Sequence, residues 1–176
     1  MIVGRIDSSP KFQLETGPTK IGTWTHVAVT HAGVVVFYDR AGAQYASFTV
    51  TDGGTLSPMW DGNAPQSADA LVAAGQTFLL FYRNDGSGVL GDFAGGALQG
   101  TAWTYPVAKL NLAATPLLLA GSGNGTILFY DTTNTVESIV RGFRPMGNPS
   151  ELRNYLPDSG AFDVGWTEVL DVGSLA

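Results

Sequence analysis

Three stretches of this chain repeat one pattern, and that repeat limits the fold more than any other feature. "VVVFYDRAG" (34–42), "FLLFYRNDG" (78–86) and "ILFYDTTNT" (127–135) each pass from apolar residues through a Phe-Tyr pair into a polar turn. Phe37, Phe81 and Phe129 are 44 and 48 residues apart. Each copy therefore belongs to a unit too short to bury both of its faces alone, so the units must stack on one another.

The flanks of the pair repeat as well. An inner apolar run and a Gly-containing turn precede each copy: "WTHVAV" with "THAG", "ALVAAG" with "AAGQ", and "PLLLAG" with "SGNG". A third run follows ("YASFTV", "GVLGDF", "ESIVRGF"), then a weaker outer run ("TLSPM", "ALQGT", "ELRNY"). The runs are short, β-branched or aromatic, and bounded by Gly, Asp, Asn and Ser, which is strand and turn chemistry. No dozen residues carry an amphipathic helical face; the best helix candidate is the short "NPSELRNYL" at 148–156. "MIVGRID" fits a third run and "KFQLE" an outer run, while "GWTEVLDVG" (165–173) echoes "TWTHVAVTH" (23–31). Trp24 and Trp166 are 142 residues apart, three periods of about 47.

Four short strands per unit at this period predict an all-β chain of β-propeller-like blades, with an incomplete terminal blade; a β-trefoil is the alternative. The expectation is one repeat domain over 1–176, in approximate units 1–39, 40–83, 84–131 and 132–176. The Phe-Tyr run missing between the last inner run and the first third run leaves open strand edges, with three outcomes: a four-blade ring with one defective blade, two chains joined into a larger ring, or a section of a longer protein. Open edges favour self-association that completes the ring.

Composition narrows the function classes. Of 176 residues, 44% are hydrophobic and 14% charged, a globular profile, and no stretch reaches 18 apolar residues. With nine Lys and Arg and a net charge of −6, the chain lacks the basic footprint that nucleic acid or an anionic membrane requires. The absence of cysteine excludes disulfides and thiolate metal sites. The N-terminus shows no signal-peptide pattern, and a cytoplasmic or a secreted location fits equally.

"GRIDSSPKF", "GTWTHVAV" and "VVVFYDRAG" resemble the repeats of tachylectin-2-like and tectonin-type β-propeller lectins and related bacterial and fungal repeat proteins. The later third runs diverge from the G-R-I-D pattern, and only "VRGF" keeps an Arg-Gly pair. The resemblance implies a multivalent carbohydrate-binding protein with one shallow site near each blade junction and no catalysis, with glycans as partners. A protein-interaction or structural propeller is the alternative.

Enzyme signatures are sparse. His26 and His31, five residues apart on a strand, face opposite sides and make a poor metal pair. "GSGNG" lacks the Lys and helix of a phosphate loop. Asp85, Asp131, Asp158 and Asp163 match no calcium-loop spacing. No cofactor, metal or catalytic residue is expected. The ligand-binding candidates are Tyr38 with Asp39, Tyr82 with Arg83 and Asn84, Tyr130 with Asp131, and the tryptophans Trp24 and Trp166. In each, an aromatic ring is available to cover the apolar face of a sugar while a polar neighbour takes its hydroxyls. The competing reading is packing: Phe and Tyr alternate faces, so both rings can serve blade-to-blade contact. Trp60 and Trp103 also recur with the repeat.

Overall fold

The computed structural model describes residues 3–6, 12–16, 24–52, 54–75, 77–107, 110, 117–121, 126–131, 139–142 and 153–154, with side-chain surroundings defined within 24–110 and at 119–121 and 127. Among the described residues every regular element is a strand. Strand β1 (Val3–Ile6) pairs antiparallel with β2 (Phe12–Thr16). Three four-stranded antiparallel sheets follow, each made of consecutive strands with no crossover. The first blade is β3 (His26–Val29), β4 (Val34–Asp39), β5 (Gln44–Val50) and β6 (Leu56–Asn63). The second is β7 (Ala70–Ala74), β8 (Phe78–Tyr82), β9 (Gly88–Ala94) and β10 (Ala97–Tyr105). The third is β11 (Leu117–Gly121), β12 (Thr126–Asp131), β13 (Ile139–Gly142) and β14 (Arg153–Asn154).

This is the blade order read from the runs, inner to outer. The sheets are phased differently from the units 40–83 and 84–131: each begins at an inner run, so those boundaries cut through a sheet between its second and third strands. The helix candidate at 148–156 is also corrected, because Arg153 and Asn154 pair with Gly142 and Arg141 as an outer strand.

Register shows that the blades are copies. Val27 pairs with Phe37, Leu71 with Phe81 and Leu119 with Phe129. Beside them His26 pairs with Tyr38, Ala70 with Tyr82 and Leu118 with Tyr130. Inner strand β7 lies against β3 on one side and β11 on the other, so the blades stack in sequence, as β-propeller blades do.

The alternation of strand side chains then explains the Phe-Tyr pair. Tyr38 points to the following blade and meets Phe81, which points back, edge to face at 5.7 Å between centroids. One buried cluster joins Ala28, Val36, Tyr38 and Tyr45 of blade one to Leu71, Ala73, Leu79, Phe81 and Phe93 of blade two. Shift by one residue and the other face of blade two appears: Val72, Ala74, Leu80, Tyr82 and Leu90 form a second cluster with Ile127 and Leu119 of blade three. Strands covered on both faces must be apolar at nearly every position, as β8 is. Burying each such aromatic or aliphatic side chain contributes roughly 1.5–3 kcal/mol.

Polar ties complete the first junction. The Tyr38 hydroxyl accepts from the buried Ala68 N–H at 2.7 Å and donates to the Gln66 carbonyl at 3.3 Å. Ser47 Oγ donates to the Gly96 carbonyl at 2.5 Å, and the Leu98 N–H donates to the Tyr45 hydroxyl at 2.9 Å. Gly95 and Gly96, at φ of 60° and 84°, form the tight β9–β10 turn that brings this carbonyl under blade one.

Candidate functional site

The outer strands of the first two blades run side by side, and a cleft opens between them. Asn63 and Pro65, at the end of β6 and just after it, form one wall; Leu98, Gln99, Gly100 and Thr101 of β10 form the other. Its volume is about 210 Å³. One wall is set by an inter-blade tie and by a local one: Leu98 donates its N–H to the Tyr45 hydroxyl of blade one, and Gln99 donates from Nε2 to the Ala94 and Ala97 carbonyls of its own blade at 3.1 and 3.4 Å. No wall residue is ionisable.

Trp60 precedes the wall residue Asn63 by three positions on β6. It pairs with Ser47 on the face of β6 that looks toward blade two, and it is 55% exposed. Its indole lies beside Gly62: a Cβ there would come within 3.3 Å of Trp60 Nε1 and 3.7 Å of the Tyr45 hydroxyl. Glycine at 62 thus leaves room for the indole beside it. Met59, next to it, is also exposed and reaches toward the Gly96 turn. Burial holds the Tyr45 phenol above its ordinary 10.0, and the Asp61 carboxylate adds to this while the Leu98 N–H opposes it.

The same register position recurs in blade two. Ser47, opposite Trp60, pairs with Val36; Leu90, opposite Trp103, pairs with Leu80. Val36 and Leu80 are equivalent, so Trp103 is the second blade's Trp60, and it too is exposed.

The residues singled out from sequence are placed as follows. Tyr38 and Tyr82 are fully buried between blades. Neither ring can cover a sugar face without opening a blade junction, and both serve the packing role weighed against ligand contact. Asp39 caps its own turn, accepting from the Ala41 and Gly42 N–H groups at 3.1 and 3.0 Å. Arg83 pairs loosely with Asp85 at 3.8 Å, and the Asn84 N–H donates to Asp69 Oδ2 at 2.8 Å. Ser87 hydrogen bonds, side chain first, lower the Asp85 pKa. These polar groups sit at the strand-two turns and converge on no shared pocket with the tyrosines. Trp24 is half-buried against Phe37 at 6.2 Å, on the face of blade one that looks away from blade two. The side chains of Tyr130 and Asp131, and all of Trp166, lie outside the described residues.

His26 Nε2 lies 2.8 Å from the Asp69 carbonyl oxygen, joining blades rather than facing a metal. Asp69 also forms an ion pair with Arg40, so it bridges the turns of blades one and two. Among the described residues no group of three or more His, Cys, Asp or Glu is arranged to hold a metal ion. Asn63, Pro65, Gln99 and Thr101 were not candidates, since they sit in a linker and an edge strand without a motif. The 43-residue spacing of Trp60 and Trp103, close to that of Phe37 and Phe81, was the signal that pointed toward this flank.

No family model matches the sequence, and no curated protein matches it. Among solved structures the chain is similar to virginiamycin B lyase from Staphylococcus aureus, in an inactive variant crystallised with quinupristin. That match has 13% identity and a TM-score of 0.45, and covers 91% of this chain and 50% of the other. A streptogramin B lyase matches at 16% identity and TM-score 0.45, covering 94% and 49%. A protein from Lactobacillus plantarum matches at 10% identity and TM-score 0.47, covering 86% and 46%. The chain spans about half the length of these proteins. None of these three is a lectin of the tachylectin-2 or tectonin type.

Proposed function

We propose that this β-propeller chain is a non-catalytic, multivalent carbohydrate-binding protein that holds sugar residues in the cleft between outer blade strands. The observation that carries the reading is the exposed Trp60 ring on the same outer strand as Asn63, which with Gln99 and Thr101 walls the cleft. A sugar ring has an apolar C–H face and a belt of hydroxyls. An indole covers the first, and amide and hydroxyl groups pair with the second. The cleft is smaller than the roughly 300–1,000 Å³ that encloses a drug-sized ligand, which suits one terminal sugar residue. Without an ionisable wall residue it has no group to move a proton, which supports binding over turnover. Trp103 extends the reading to a second site on the next blade. Several weak sites on one body gain strength on a dense glycan surface through effective concentration.

The competing reading is a protein-interaction scaffold, favoured by exposed Met59 and Trp60 on an edge strand. A glycan array followed by sugar titration of tryptophan fluorescence separates the two. The proposal expects binding inhibited by free sugar and weakened at least about tenfold by Trp60→Ala, a loss of about 1.4 kcal/mol. A blank array, with no sugar-dependent change in fluorescence, refutes it.

A further inference from the structure

The inner strand of blade one lacks the cover that the inner strand of blade two has. In blade two, Leu71 and Ala73 on the backward face are 7% and 8% exposed, because Ala28, Val36 and Tyr38 of blade one cover them. Their register equivalents in blade one are Val27 and Val29, opposite Phe37 and Val35. These are 58% and 53% exposed. The forward face shows the reverse pattern. Ala28 and Val72 are buried under the next blade, while their equivalent in blade three, Ala120 opposite Leu128, is partly exposed. On the backward face of blade one the inner strand thus stays open at Val27 and Val29, while Phe37 and Val35 beside it are buried; inside the stack a forward face covers such an inner strand.

We propose that the Val27 and Val29 face binds a second copy of this chain, and that blade three of that copy is what covers it. The surface that fits a backward face is visible twice in this molecule: a forward face with a small residue on the inner strand, an aliphatic residue opposite it, and Tyr two positions on. Blade one supplies Ala28, Val36 and Tyr38; blade two supplies Val72, Leu80 and Tyr82. Blade three places Ala120, Leu128 and Tyr130 at the same register positions. The contact continues an interface the chain already makes with itself. It is heterologous, one face meeting a different face, so it closes a ring when the rotation permits. It involves the first and second strands of the blades and leaves Trp60 and Trp103, on the outer strands, outside it.

The chain has no cysteine, so single thiols report contacts cleanly. Chains carrying Val29→Cys and chains carrying Ala120→Cys are prepared separately, mixed, and treated with a short bis-maleimide, because Val29 on Ala120 repeats the internal Ala73 and Ala28 relation. The expected result is a two-chain band in the mixture that neither chain gives alone. A parallel measurement uses Val27→Glu, which places a charge on a side chain already open to solvent. It is expected to weaken self-association at least about tenfold by native mass spectrometry while the melting profile is retained. A monomeric wild-type chain with no cross-linked band overturns the proposal. So does a dimer that forms between Val29→Cys chains alone, or one that Val27→Glu leaves intact.

Discussion

Replacing Tyr38 by phenylalanine removes one oxygen from the centre of the first blade junction. That oxygen accepts from the Ala68 N–H at 2.7 Å and donates to the Gln66 carbonyl at 3.3 Å, and both Tyr38 and Ala68 are shut off from water. In the variant the ring still packs on Phe81, so the apolar burial is unchanged. What is lost is the partner of a buried amide, and an unsatisfied buried donor costs about 1–3 kcal/mol. The Gln66 carbonyl adds little, since its bond is long. Tyr38→Phe is therefore expected to lower unfolding free energy by about 2 kcal/mol in urea titration, with an unchanged m-value. Tyr38→Ala also empties the space against Phe81 and costs about 3–5 kcal/mol. Sugar binding at the outer cleft is expected to survive the first variant. A Tyr38→Phe protein as stable as wild type within about 0.5 kcal/mol, but with reduced sugar binding, refutes the packing role and returns the hydroxyl to a ligand site.

Other outcomes follow from the same geometry. Gly96→Ala forces a side chain into φ +84° and against Met59 Cβ at 2.9 Å; the backbone alone costs about 1–2 kcal/mol, read as a fall in melting temperature. Gly121→Ala drives a Cβ into the Ala73 carbonyl where the inner strands of blades two and three touch, and soluble folded yield is expected to collapse. Trp60→Ala and Trp103→Ala each remove one sugar per chain in calorimetric titration while stability moves by less than about 1 kcal/mol, since both rings are exposed. Burial raises the phenol pKa of Tyr45, Tyr82 and Tyr105 above 10.0. The folded state therefore keeps protons that the unfolded state releases above pH 10. Stability is full below that pH and falls above it, by up to about 1.4 kcal/mol per pH unit for each tyrosine. Tyr105→Phe is expected to flatten the alkaline limb of a stability-against-pH curve.

The repeat made the blade legible, because Phe37, Phe81 and Phe129 mark one register position and the runs around them follow in strand order. The sequence also shows that Phe and Tyr point to opposite faces. It does not show that both faces are covered, since what covers Tyr38 is Phe81, 43 residues away. That is why tyrosines beside polar residues read as sugar platforms. The polar partners misled for a local reason: Asp39 and Asn84 engage backbone groups at strand-two turns, a role their residue types share with ligand contact. The cleft was invisible because Asn63 and Gln99 come from different blades and meet only once the blades stack. Trp60 was visible as a recurring ring, but its exposure depends on lying on an outer strand. Within 148–156, Arg153 and Asn154 pair with Gly142 and Arg141, which agrees with the outer run "ELRNY" and not with the short helix candidate.

The central claim is that blades one and two interlock Tyr on Phe at equivalent register positions, Tyr38 on Phe81. Nuclear Overhauser contacts between the Tyr38 and Phe81 rings, with hydrogen exchange at the Ala68 amide, test it most directly. The account predicts strong ring-to-ring contacts across the 5.7 Å separation and an Ala68 amide that exchanges only with global unfolding. An absent Tyr38–Phe81 contact, with Ala68 exchanging as fast as a free loop, contradicts it.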